Sequence, residues 1–370
     1  MKFNHYIIKG QNLTELQAQQ DGILSAHPQQ QVAFKRYFLP DNSLLRQLPA
    51  EEGAVSHIIQ PVLCEGSVAL WLVLCEGFRV RYQGCETILE GEGFRLIVTA
   101  SLTCPDGTSE EQTRSIFDAY ATLLQGHGLT LEGNCVRTWL FCDDIDHQYA
   151  GLVKARREFF AACGLTPQTH FIASTGIAGR PAGQPAAQPA GAGTPSFAET
   201  REYAPSGVPA PAAARAAIVQ MDALAVEGAF TQRYLYARTH LSPTYDYGVT
   251  FERGVRLDAS GHHATLISGT ASIDHKGNIL HEGDVAAQTR RMWENVEALL
   301  DEAGVMAAGV QADAAFEGLL LLLELMKCRM EWSILEQLHY PFVLRQDSFH
   351  LQDKSLQFRE FQELRFQGQL

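Results

Sequence analysis

The stretch LISGTASIDHKGNILHEGDVAAQTRRMWENVEALLDEAGV, residues 266–305, decides how the rest of the chain is read. Leu266 and Ile267 are apolar and strand-like, and they run into a corner of small side chains, Ser268-Gly269-Thr270-Ala271-Ser272. A turn rich in Asp, Gly and Asn follows at Asp274 to Asn278, residue types that tolerate tight backbone reversal. A helix is predicted next. Asp284 is placed to cap it, Met292, Val296, Leu299 and Leu300 share one face at helical spacing, and Gly304 stops it. A strand, a tight corner and an amphipathic helix in that order describe an α+β layer with the helix packed on a sheet.

The same pattern occurs earlier. QTRSIFDAYATLLQGHGL at 112–129 lines up with QTRRMWENVEALLDEAGV at 288–305: Gln, Thr, Arg, both Leu and the last Gly coincide, and Phe117 falls on Trp293. Upstream, FRLIVTASL mirrors the end of HATLISGTASI. Such self-similarity points to a duplicated unit. The first copy is expected to continue with a strand at Val136 to Phe141, a helix at Tyr149 to Cys163, and strands at Phe171 to Thr175 and Ile218 to Val226. The expected fold is therefore α+β, two related domains, each a mixed sheet with two helices on one face.

Outward from the repeat, residues 1–55 show no strong period and read as an irregular lead-in. Short runs rich in Val, Leu, Ile and Phe between Val55 and Val98, separated by Glu-Gly and Gln-Gly, read as strands joined by tight turns. Pro, Ala and Gly dominate at about 180–215, so that segment reads as a disordered insertion at a loop tip. The first domain thus spans 1–228. The second starts at 229, and its correspondence with the first copy fails before about 312. From 313 to 370 an apolar-rich helix and a polar tail replace the expected closing elements.

Composition narrows the function. With 29 Lys and Arg against 42 Asp and Glu, the net charge of −13 repels a nucleic acid. The richest apolar run, around Leu319 to Leu323, falls far short of the roughly 20 residues that cross a bilayer. Met1 to His5 lead into no leader-like apolar run. The reading is a soluble, cytoplasmic protein. Its eight cysteines form no CxxC pair, so neither a zinc site nor any cofactor is expected. Asp143, Asp144 and Asp146 are read as ending a strand and capping a helix, and His262-His263 as solvated turn residues.

SGTASID followed by GD, AQT, an Asn and Leu-Leu up to Ala-Gly resembles the RidA (YjgF) superfamily. The SGTASI wording and the long N-terminal region resemble its chorismatase branch, enzymes that split the enolpyruvyl ether of chorismate. The resemblance is carried by Arg233 to Val305 and implies two chorismate-mutase-like domains, a homotrimer and a small carboxylate metabolite as ligand. It also suggests a RidA-type enamine/imine deaminase as an alternative, and the lack of a matching catalytic acid leaves a non-catalytic small-metabolite binding protein as another. Phe251-Glu252-Arg253 stands where chorismatases carry Phe, a small residue and Arg, so Arg253 is the expected carboxylate clamp. Glu252 is the candidate acid, or else a partner for Arg253. The family's catalytic Glu has no match in the tail, where Glu324 and Glu331 are candidates by proximity alone. Tyr245 and Tyr247, two apart, would share one face of a strand and line either a pocket or the core. Ser268, Gly269, Thr270 and Ala271 are small enough for a ligand to reach the backbone, or for close packing at a sheet corner.

Overall fold

The computed structural model describes residues 1–60, 68–182 and 217–305. These residues form an α+β fold of three sheets. The predicted strands of the first copy are present as β5 (Arg79–Gln83), β6 (Glu86–Glu90), β7 (Phe94–Thr103), β8 (Cys135–Cys142), β9 (Ala173–Ala178) and β11 (Val219–Gly228). They make a six-stranded mixed sheet, order β5-β6-β7-β11-β8-β9, in which only β8 and β9 run parallel. Helices α2 (Ser109–Gly126) and α4 (Ile145–Ala162) pack side by side on one face, burying Ile116, Phe117, Tyr120, Leu152 and Phe160 against Leu140, Met221 and Ala223. A short α3 (Leu131–Asn134) leads into β8.

The duplication is structural. In the second copy β12 (Phe230–Leu235), β13 (Gly254–Ala259) and β14 (His262–Ile267) repeat the antiparallel meander of β5-β6-β7, and α5 (Val285–Glu302) repeats α2. Both helices have 18 residues and side-chain N-caps, Thr108 on Glu111 N and Asp284 on Ala287 N. In both, a buried Thr returns its hydroxyl to the carbonyl four residues back, Thr113 to Ser109 at 2.7 Å and Thr289 to Val285 at 2.8 Å. Each helix gives way to a glycine at φ +77°, Gly128 and Gly304, the left-handed conformation that a helix stop needs. The second copy has one helix on a three-stranded sheet among the described residues. The expected insertion, apart from its first residues, and the tail from 313 onward, with Glu324 and Glu331, lie outside those residues.

The N-terminal reading is corrected. Residues 1–55 are not an irregular lead-in but carry β1 (Lys2–Gly10), α1 (Leu13–Ala26) and β2 (Gln31–Leu39), with β3 (Val55–Ile59) and β4 (Val68–Glu76) following. With β10 (Arg180–Pro181) these strands build a separate five-stranded sheet, order β1-β4-β2-β3-β10, so the span 1–228 holds two sheets rather than one. The period is present: Asn4, Tyr6, Ile8 and Gly10 alternate inward along β1, and Leu13, Leu16, Gln20 and Ile23 share the buried face of α1. Polar residues at inward positions hide it. Lys35 and Arg36 are buried in the middle of β2 because carboxylates distant in sequence meet them, Glu51 and Asp222.

The six-stranded sheet lies at the centre. Its helix-free face packs on the N-terminal sheet through Phe38, Ile58, Phe141 and Ile177, and on the second copy through Phe94, Leu96, Val255 and Leu257. Asp222 on β11 ties two of these layers. Its Oδ2 accepts from Arg36 Nε and Nη2 at 3.1 and 2.7 Å, and its Oδ1 accepts from Ser101 N at 2.8 Å, holding the non-glycine residue Ser101 at φ +57°. Among the described residues no helix is long and apolar enough to cross a membrane.

Removing one member of this fully buried pair strands the other charge. Asp222→Ala is expected to lower unfolding free energy by about 3–5 kcal/mol, and pairing it with Arg36→Met to recover much of that loss. Urea denaturation of the two variants makes the comparison.

Candidate functional site

The second copy meets the edge of the first where Glu252 N donates to Ile172 O at 3.1 Å, a parallel bridge onto the start of β9. Ser268 organises this seam. Its Oγ accepts from Ser174 N at 2.9 Å and from Arg137 Nη1 at 3.3 Å, and donates to the carbonyl of Glu252. Thr175 Oγ1 accepts from Gly269 N at 2.9 Å and from Arg137 Nη2 at 2.5 Å. A Cβ on Gly269 would stand 3.2 Å from Thr175 Cγ2, closer than side chains normally approach. The small residues at 268 and 269 therefore serve close packing between the copies.

Thr270 and Ala271 continue the corner. Thr270 is buried, and its hydroxyl has no partner among the described residues. Ala271 is exposed, with its carbonyl accepting from Asn295 Nδ2 at 2.9 Å, which ties the corner down onto α5. None of Ser268, Gly269, Thr270 and Ala271 lines the cleft that Arg253 faces.

That cleft, about 70 Å³, opens between the loop at Pro167 to Phe171 of the first copy and Tyr236 to Tyr245 of the second, with Phe251, Glu252 and Arg253 at its base. Arg253 is 4% exposed, not a surface residue. Its Nε and Nη2 donate to Ser242 O at 3.2 and 2.9 Å, and its guanidinium stacks on Tyr247 and Phe251 at 5.4 and 5.5 Å. No carboxylate pairs with it among the described residues. Burial lowers its pKa, an effect that Tyr247 partly offsets.

Glu252 does not pair with Arg253. Its Oε1 accepts from Phe171 N at 2.8 Å, and burial raises its pKa above the usual carboxylate range against the opposing pull of that hydrogen bond and of Arg238. A buried carboxyl with a raised pKa beside an unpaired guanidinium is the pairing that proton transfer to a bound anion requires. The reading of Tyr245 and Tyr247 on a strand is corrected: they sit in a single 3-10 turn, Thr244–Tyr247, and are 46% and 48% exposed. The Pro243 before it and the Gly248 after it, at φ +83°, replace strand geometry with a turn. Tyr245 lines the cleft and Tyr247 covers Arg253.

Sequence reading missed two arginines of the first copy. Arg137 on β8 is buried, stacks on Trp139 at 4.9 Å, and has its pKa pushed down to about 9 by burial and by Arg36. Arg156 on α4 is buried, with Nη1 donating to Ser174 Oγ at 3.4 Å. Arg156 sits on the apolar face of its helix, where the spacing of Leu152 and Phe160 calls for a hydrophobic residue, and that mismatch was the available signal.

The other polar groups are local. Asp144 takes the N-cap position of α4 at φ +46°, but its carboxylate accepts no backbone N–H and pairs with His147 Nδ1 at 2.8 Å instead. His263 pairs with Asp258 beside the β13–β14 turn. Among the described residues no three His, Cys, Asp or Glu side chains are grouped to hold a metal ion.

No family model matches the chain. Among solved structures, a chorismatase is similar at 16% identity over 74% of this chain and 75% of that one, with a TM-score of 0.49. A YjgF-family protein from Neisseria meningitidis is similar at 13% identity over 42% of this chain and 99% of that one, TM-score 0.26. A member of the same family from Mycobacterium tuberculosis is similar at 15% identity over 37% of this chain and 82% of that one, TM-score 0.23.

The raised pKa of Glu252 carries a sign. The proton it retains favours the folded state, a contribution complete below its ordinary value of 4.5 and lost as pH rises through the raised value. Glu252→Gln keeps the acceptor for Phe171 N and removes the titration. Its stability relative to the parent is expected to grow as pH climbs from 4.5 toward neutrality; a difference that stays flat across urea titrations in that range would show ordinary titration.

Proposed function

We propose that the seam cleft binds a small carboxylate metabolite and that the protein is a chorismatase-like hydrolase, splitting an enolpyruvyl ether to pyruvate and a cyclic hydroxy acid. One observation carries this reading: Arg253 and Glu252 share one cleft, the first cationic and unpaired by any described carboxylate, the second a buried carboxyl biased toward its protonated form. The resemblance of residues 233–305 to chorismatases supports the choice of substrate.

In this reading Arg238, exposed at the mouth over the ring of Tyr236, draws the anion in, and Arg253 grips the enolpyruvyl carboxylate. One oxygen of Glu252 is held by Phe171 N, and the carboxyl delivers its proton to the methylene carbon of the enol ether. The resulting oxocarbenium ion takes up water, and the hemiketal collapses to pyruvate and the ring alcohol. Glu252 recovers its proton from the attacking water. No metal or cofactor is needed for these steps.

Imine hydrolysis, the deaminase reading, uses the same guanidinium clamp and the same water and differs in the atom protonated. A ligand that raises the melting temperature without turnover would mark the binding-protein reading instead. The resemblance further suggests a homotrimer.

Pyruvate release from chorismate decides between the enzyme readings, with ammonia release from a dehydroamino acid as the parallel assay. Arg253→Ala is expected to lower kcat/KM by about 10²-fold or more, and Glu252→Gln to lower kcat by a roughly similar 10²–10⁴-fold with KM little changed. Folded protein that releases neither pyruvate nor ammonia would remove the hydrolase reading.

A further inference from the structure

α2 and α5 share their caps, buried threonines and terminal glycines but differ at two charged positions. Arg291 stands where α2 carries the exposed Ser115, and Glu302 stands where it carries Gly126. A Cβ on Gly126 would meet nothing within 4 Å, so at that place the described residues of the first copy offer nothing to hold. In the second copy the matching place faces residues 236–242, which form one lip of the cleft. Glu302 Oε1 and Oε2 accept from Tyr236 N at 3.2 and 3.1 Å, and Oε2 accepts from Ala237 N at 2.5 Å. Ala237 is at φ +45°, a left-handed conformation that a non-glycine residue holds at a cost. Successive N–H groups around such a residue make a concave pair of donors, and the carboxylate fills it. Helix stability does not explain the acid, because negative charge in the last turn opposes the helix dipole. The terminal carbonyls are met by cations instead, Glu302 O by Arg233 Nη1 at 2.9 Å and Ala303 O by Arg256 Nη1 at 2.7 Å.

We propose that Glu302 is a positioning residue of the cleft, acting on Arg253 and Arg238 through the lip; the proposal rests on the cleft being a carboxylate site. The path of contacts is continuous. Ala237 O accepts from His240 N and Leu241 N at 2.7 and 2.9 Å, which curls the lip into a turn. Arg291 holds the far side of that turn, its Nη2 donating to His240 O at 3.2 Å while its Nε donates to Ile273 O at 3.1 Å. The lip ends on Ser242, whose carbonyl takes Nε and Nη2 of Arg253, and Arg238 leaves the same turn at the cleft mouth. Both cations that meet the anion are therefore set by where the lip hangs on α5. Glu252 is held separately: its hydrogen bonds run to Phe171 N, Ile172 O and Ser268 Oγ, none of which belongs to the lip.

That division fixes which kinetic constant moves. In Glu302→Ala the grip on the substrate carboxylate loosens while the proton donor stays in place, so with chorismate KM is expected to rise about tenfold and kcat to stay within about twofold. Glu302→Gln, which keeps an acceptor oxygen and loses the charge, is expected to fall between the parent and the alanine variant, and serves if the latter fails to fold. Glu302 is exposed, so a merely structural contact would lower the melting temperature and leave KM alone; here the melting temperature is expected to shift by no more than about 2 °C. Amide hydrogen exchange on the full chain adds a readout that needs no ligand: the alanine variant is expected to exchange faster at residues 236–242, with β7 and β8 unchanged. A KM within about twofold of the parent's, or unaltered exchange at the lip, would overturn the positioning role and leave the Arg253 site standing. A parent that neither turns over chorismate nor binds it in titration calorimetry would remove the cleft reading itself, and this inference with it.

Discussion

The hydroxyl of Ser268 is the contact on which the arrangement of the two copies depends. It receives the backbone N–H of Ser174 and a guanidinium N–H of Arg137 from the first copy, and gives its own hydrogen to the carbonyl of Glu252 in the second. All three groups are buried, so each must find a partner within the protein. By anchoring the carbonyl of Glu252, the hydroxyl fixes the segment just before β13 that presents both Glu252 and Arg253. The cleft and its chemistry are thus consequences of how two sheets are joined.

Buried charge in this chain falls into two kinds. Arg36 is neutralised by Asp222, whose Oδ2 takes two guanidinium N–H groups while its Oδ1 holds Ser101, and so ties the N-terminal sheet to the central one. Arg137, Arg156 and Arg253 have no such partner among the described residues and are stabilised by hydroxyls, carbonyls and the faces of Trp139, Phe251 and Tyr247. Aromatic faces and neutral acceptors return only part of the hydration that a guanidinium gives up. Concentrating that deficit at one seam creates positive potential in a protein whose net charge is −13. A small anion is drawn to such a point, while an extended polyanion is repelled by the surface around it.

The repeat shows how closely local pattern can specify local structure. Thr113 and Thr289, Phe117 and Trp293, Leu124 and Leu300, Gly128 and Gly304 occupy matching places in α2 and α5 because caps, periodicity and a terminal glycine are all readable within 18 residues. The strands from Val68 to Thr103 were readable for the same reason. The N-terminal sheet was not, since Lys35 and Arg36 look like surface residues until Glu51 and Asp222 are brought to them. Tyr245 and Tyr247 misled in another way: spacing of two fits a strand, but the flanking Pro243 and Gly248 impose a turn.

By itself the sequence determined the duplicated α+β unit, the caps and stops of α2 and α5, the reversal at Asp274, and Arg253 as the residue to examine. These follow from interactions between residues near one another in the chain. Tertiary structure alone decided that Ser268 and Gly269 bond to Ser174 and Thr175 across the seam, that Glu252 is turned to Phe171, and that Arg156 approaches Arg253 across Phe251. Each of those contacts joins segments some 80 to 130 positions apart. Contacts at that separation depend on how the sheets stack, a property of the assembled layers that no window of sequence contains.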